Sequence, residues 1–241
     1  MQKKLATRFI GYSFLVGGAM LWLGYMSLSP RVGAYFEPQD FAGIYAGWRA
    51  WIWAFRVHIF GYVISVIALT ALASQLTESE SRVVIWPGVM VASAGIFVST
   101  LGAAFYYHHG AWGAAALDGK PIDQVVAFID SLRNDTEYTT CLVRFGRVFS
   151  GLGLMLLGIG LHHWRLLPRP VSAGAILIGL ASMALTMALP DNWSVYTPVF
   201  HAKALWLLVT GVLVLRHDEG PLSSTPASPS SPSAPPRTPP R

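Results

Sequence analysis

The side chains with chemistry to offer are basic or imidazole groups set in or beside apolar sequence: Arg56, His58, His108, His109, Arg144, Arg147, His162, His163, His201 and Lys203. No Asp or Glu falls within the apolar runs that carry them. An ionisable group in a bilayer is costly, and by default it marks function. The missing carboxylates narrow the chemistry. Proton- or cation-coupled transport calls for an intramembrane acid, and a bridged di-iron centre calls for several, so both are disfavoured. Imidazoles and cations without acids suit a b-type haem instead. Such a haem takes neutral imidazoles from different helices, an apolar box, and cations for its propionates. By depth His58 and His201 are the expected axial metal ligands, with His108 in reserve. Arg144, Arg147 or Lys203 would hold the propionates. A copper ion bound by His58, His108 and His201 is a second option. Against any cofactor, each of these groups can equally end a span, bond a neighbour or snorkel to headgroups.

The fourth apolar run adds direction. Arg144, Arg147, Gly151, Met155, Gly158 and His162 recur at helical spacing and share one face. Glycines there permit close helix approach, so this face is expected to turn into a bundle. The same run holds Val148-Phe149-Ser150-Gly151, and a later one holds His201. That order of parts loosely resembles rhomboid-type intramembrane serine proteases, in which a Ser on the fourth helix is activated by a His on the sixth. The sequence departs from the family in the first glycine of its G-x-S-G motif. It departs again after His201, where Lys203, Leu205 and Trp206 replace small residues. The resemblance would make Ser150 a nucleophile; the plainer reading makes it a packing residue.

The elements that position these groups follow from composition. Of 241 residues, 53% are hydrophobic and only 12% are charged. A soluble domain carries about a quarter charged residues, so this chain cannot cover a globular surface in water. Six apolar runs lie at about 9–29, 51–73, 84–106, 144–164, 171–189 and 198–215. Each approaches the roughly 20 helical residues that cross a hydrocarbon core. The expected fold is therefore an all-α, six-helix transmembrane bundle covering 1–217. Pro121 to Leu132 places Ile122, Val125, Val126, Ile129 and Leu132 on one side, with Asp123 and Asp130 on the other. It predicts an amphipathic surface helix. Residues 218–241 are rich in Pro and Ser and predict a disordered tail. A single cysteine, Cys141, excludes an intramolecular disulfide and a multi-Cys metal site.

The net charge of +5 comes from bases at the ends of apolar runs, where they meet lipid rather than nucleic acid. Lys3, Lys4 and Arg8 precede the first run and put both termini in the cytoplasm. Arg31, Arg49, Lys120 and Arg133 fall on the opposite side and weigh against that orientation. The sequence-level expectation is an inner-membrane protein with an outer-side His/Arg pocket, most concretely a haem b or quinol-interacting subunit that passes electrons to a partner redox chain. Its alternative is a non-catalytic accessory or assembly subunit that binds lipid or a partner protein. A reduced-minus-oxidised spectrum checks the haem: a Soret shift lost in both His58→Ala and His201→Ala is the expected result if these two are its ligands.

Overall fold

The computed structural model describes residues 2–28, 44, 47–75, 79–189 and 193–217. Among these the chain is helical, with no strand. The helices are α1 (Gln2–Leu28), α2 (Trp48–Gln75), α3 (Ser79–Phe105), α4 (Gly113–Ala116), α5 (Ile122–Ser131), α6 (Arg133–His163), α7 (Arg169–Ala188) and α8 (Trp193–His217). A π-helical segment, Tyr106–Trp112, joins α3 to α4. Six of the helical stretches are long and apolar enough to cross a membrane. The Pro/Ser-rich tail and Arg31 lie outside the described residues.

Two boundaries move furthest from their expected places, for the same reason. The third apolar run continues helically through the π segment to Ala116, although its hydropathy fades near Tyr106. The fourth begins at Arg133, about three turns before Arg144. In both places polar residues extend the helix beyond the apolar run. Arg147 therefore sits near the middle of α6 rather than at its edge. Prolines mark the start of α7, where Pro168 is extended and Pro170 occupies the first turn, which needs no amide donor there.

The six long helices close into a ring in the order α1, α2, α3, α6, α7, α8 and back to α1. Helices this apolar gain little from one another's hydrophobic surface once in lipid, so close backbone approach has to supply the contact. Glycine does so at four of the six seams. Gly17, Gly24 and Gly61 bring α1 against α2, and Gly11, Gly18 and Gly211 bring α1 against α8. Gly151, Gly158 and Gly179 bring α6 against α7. Between α3 and α6 the glycines fall every seventh residue on both partners, Gly88, Gly95 and Gly102 on one and Gly146, Gly153 and Gly160 on the other: Gly95 lies against Gly146 and Gly88 against Gly153, while Gly102 meets Val143 and Gly160 meets Ile85. A seven-residue period keeps one face on the seam of a left-handed helix pair.

The α2–α3 and α7–α8 seams are sparser, and no described glycine makes such an approach across them. The bundle thus divides into two triples, α8–α1–α2 and α3–α6–α7. Each has a central helix with two antiparallel flankers, and the two central helices run in opposite directions.

A second apolar cluster caps the end where α2 and α6 begin. Trp51, Ile52 and Phe55 pack there with Ala111, Ala114, Val125 and Leu132, and Phe128 and Ile129 rest against them. Helix α5 therefore docks through part of its apolar side, while Ile122 and Val126 stay exposed. The Arg56 guanidinium lies 4.9 Å above the Trp53 ring and its Nε donates to the Tyr107 hydroxyl at 3.0 Å.

The glycine contacts give a direct test. A side chain at Gly153 would collide with the Ala92 backbone, whereas nothing stands within 4 Å of a Cβ at Gly174. Gly153→Val is expected to cost about 1–3 kcal/mol or more, and Gly174→Ala to stay within about 0.5 kcal/mol, both read from thermal unfolding in detergent.

Candidate functional site

Between the two triples lies a cavity of about 170 Å³. Five of the six long helices line it. Helix α2 presents Phe55, His58, Tyr62, Ser65 and Leu69, and α3 presents Ala92, Ile96, Ser99 and Ala103, continued by Tyr106 of the π segment. These are stripes at three- and four-residue spacing, the period of one helix face. Helix α6 adds Val143, Arg147, Ser150 and Leu154, and α8 adds Tyr196, Phe200, Lys203 and residues beyond. Tyr25 and Leu21 of α1 complete the wall. Among the described residues, none that lines the cavity is acidic.

The lining is graded. Helices α2, α6 and α8 start from the same end, and α3 and α1 finish there. Phe55, Tyr106, Val143 and Tyr196 therefore form the end under the cap. His58, Tyr62, Arg147, Ser150 and Lys203 follow at mid-depth. Leu69, Ala92, Leu154 and Leu207 form the far end. The ionisable groups are concentrated at one level, and the floor at Leu69, Leu154 and Leu207 is apolar.

Lys203 is the most elaborately held group. Its Nζ donates to Ser182 Oγ at 2.8 Å, the Tyr196 hydroxyl at 2.8 Å and Ser150 Oγ at 3.1 Å. An ammonium has three N–H groups, and three hydroxyls receive them. Ser150 and Ser182 in turn donate to the Arg147 carbonyl, at 3.1 and 2.9 Å. The Arg147 guanidinium lies 4.3 Å from the centre of the Tyr196 ring. Hydrogen bonds and a cation–π contact thus tie α6, α7 and α8 together at the α7–α8 seam, where glycine contact is missing.

His58 faces the cavity from the other triple. It is 6% exposed, and its Nδ1 has no hydrogen-bond partner. Its other nitrogen lies toward the Leu21 backbone. The ring stacks on Phe200 at 5.6 Å and meets the Tyr62 ring edge-on at 4.7 Å. A buried polar atom without a partner costs roughly 1–3 kcal/mol, so this nitrogen calls for an explanation.

The remaining expected site residues are placed elsewhere. His201 is absent from the lining; its Nδ1 accepts the Trp22 indole N–H at 3.1 Å. The Phe200 and Tyr25 rings, stacked at 4.0 Å, connect it to His58. Among the described residues, His58 is the only imidazole in the lining. His108 is exposed in the π segment beside His109, with ring centres 4.7 Å apart. Among the described residues no cluster of three or more His, Cys, Asp or Glu is placed to hold a metal ion.

Arg144 donates to the Thr186 and Leu189 carbonyls at 2.6 and 3.3 Å. It satisfies the end of α7, where a cation also suits the helix dipole. The face shared by Arg144, Gly151 and Gly158 is the α6–α7 seam rather than a cofactor wall. Ser150 bonds Arg147 and Lys203, and His201 bonds Trp22, so the structure does not assemble them as a nucleophile and its base.

The aromatic and hydroxyl members of the site, Tyr25, Tyr62, Ser182, Tyr196 and Phe200, were not among the sequence candidates. Their signal was available in part: Ser65, Ser99, Ser150 and Ser182 interrupt apolar runs, and buried hydroxyls need partners. No protein-family model matches the chain, and no curated protein or solved structure matches it either.

Removing the Arg144 guanidinium leaves the α7 carbonyls without their charged donor. Arg144→Ala is expected to lower stability by about 1.5–3 kcal/mol. Thermal unfolding in detergent beside the wild-type chain checks this.

Proposed function

We propose that this chain is a multi-pass membrane protein whose central cavity binds the head group of a quinone or quinol, as a subunit of a membrane redox system. Six long apolar helices support the membrane assignment. So do the large apolar side chains left on their outer faces, among them Phe60, Met90, Phe97, Leu177 and Leu205. A bilayer accepts such surfaces; water does not.

The observation that carries the ligand class is the unpartnered His58 Nδ1, on the wall of a cavity whose other triple supplies Lys203 and Arg147. A quinone head is a single ring with oxygens on opposite sides. An engineered cavity of about 150 Å³ admits benzene, and this one has 170 Å³. A ring of that size fits, and a tetrapyrrole does not without parting the helices. Cations near one oxygen favour electron density there, because no acid among the described lining residues offsets them. With its other nitrogen toward the Leu21 carbonyl, His58 leaves Nδ1 as an acceptor for the second oxygen's hydroxyl in the quinol. Haem b would have His58 as its one described imidazole in the lining and would need more room than the cavity gives, so we favour the quinol-interacting reading.

Quinone extracted with the purified protein is expected near one per chain. Lys203→Met and His58→Leu are each expected to reduce it at least about tenfold, equivalent to some 1.4 kcal/mol. Extraction from protein in native-lipid particles, followed by chromatography, measures this. Quinone no higher than in protein-free particles overturns the proposal.

A further inference from the structure

Outside the cavity, the outer face of α2 carries a second set of cations near the capped end. Arg49, Trp53, Arg56 and Phe60 follow at four-, three- and four-residue spacing, so they share one side of the helix. Trp53 and Phe60 are well exposed, so this side faces outward. From the capped end it passes from cations and an indole to plain hydrocarbon within one turn. The neighbouring helix fixes the depth. Gly24 of α1 meets His58 and Gly17 meets Ser65, which puts Arg56 level with Met26, close to the end of α1 at Leu28. Arg56 therefore lies within about a turn of the edge of the spanning layer, where lipid head groups begin.

The Arg56 guanidinium is held in place. It lies 4.9 Å from the centre of the Trp53 ring and 5.9 Å from that of Tyr107, and its Nε is committed to the Tyr107 hydroxyl. The N–H groups of its two terminal nitrogens have no acceptor among the described residues. Arg49 is exposed about 10 Å away along the helix. Its guanidinium lies 5.2 Å above the Trp48 ring. Neither arginine pairs with a carboxylate among the described residues. A planar fork with its terminal donors unused matches a pair of phosphate oxygens, and two uncompensated cations favour a lipid of net negative charge. We propose that Arg56, assisted by Arg49, binds the phosphate of an anionic phospholipid whose acyl chains run over Phe60. Tyr107 belongs to the π segment, so the site joins α2 to the end of α3 across a seam that is otherwise sparse. It needs the membrane assignment alone and is independent of the ligand in the cavity.

The test offers the full chain in detergent equal amounts of phosphatidylglycerol and phosphatidylcholine and counts retained lipid by native mass spectrometry. Phosphatidylglycerol is expected to be retained at least about fivefold in preference. Arg56→Gln should bring the preference to about twofold or less, and Tyr107→Phe, which removes only the hydroxyl that orients Nε, should at least halve it. Arg133→Gln, at an exposed arginine already paired with Asp130, should leave it unchanged. Equal retention of the two lipids by the wild-type chain overturns the site. So does a full preference in Arg56→Gln or, where that variant does not fold, in Tyr107→Phe. A loss in Arg133→Gln as large as in Arg56→Gln makes the attraction a diffuse one and also overturns it. Displacement of the lipid by glycerol phosphate in millimolar excess makes a free phosphate ester the ligand and overturns the phospholipid. A chain that retains phosphatidylglycerol but no quinone loses the cavity reading and keeps this one.

Discussion

An ammonium group inside six apolar helices has to be solvated by the protein itself. Moving such an ion out of water costs several kcal/mol even after relaxation, and a paired carboxylate is the usual compensation. Lys203 has none among the described lining residues; two serines and a tyrosine replace the lost water. Hydroxyls meet the geometric demand but leave the charge uncancelled. The serine protons point back to the Arg147 carbonyl, so the network is directional and leaves positive potential on the cavity side. The proposed function depends on that imbalance, since without it the cavity would be an apolar void with tyrosines at its edge.

The same network solves a packing problem. Four seams are closed by glycine, which lets backbones touch and makes each triple rigid. At α7–α8 the hydroxyl–ammonium cluster stands in for that contact. At α2–α3 the facing stripes line space. The cluster that fixes α6, α7 and α8 thus also carries the charge that faces the cavity, while His58 stands apart on the other triple. Arg144 makes a useful contrast. It is as basic and nearly as deep, yet it is spent on the last carbonyls of α7 and contributes only to the frame.

The sequence reveals the helices more readily than the site, for a physical reason. Long uninterrupted apolar runs have few structural outcomes, so six helices and their approximate centres follow from composition. Their ends do not, because the extra turns before Arg144 and the π segment after Phe105 are polar and are held by contacts with α5 and α2. Within the site, Arg147, Lys203 and His58 stand out as ionisable groups in apolar sequence. His201 stands out equally and belongs elsewhere, since periodicity on one helix does not give its rotation against another. The hydroxyl partners carry the weakest signal. A serine in a helix is unremarkable until the ammonium it must satisfy is placed beside it. The glycines at every seventh position of α3 and α6 carried a legible period, but only the pairing of those two helices gives it meaning.

That glycine pairing has an evolutionary corollary. Where two backbones touch along their length, neither can accept a larger side chain at the contact or shift to make room for one. The wall built on α3 and α6 is accordingly frozen in outline. Helices α2 and α8 meet the other triple through looser seams, so the freedom to reshape the chamber lies with them. A descendant of this chain could exchange one occupant for another by substitutions at positions such as Tyr62 or Leu69, leaving the glycine spine untouched.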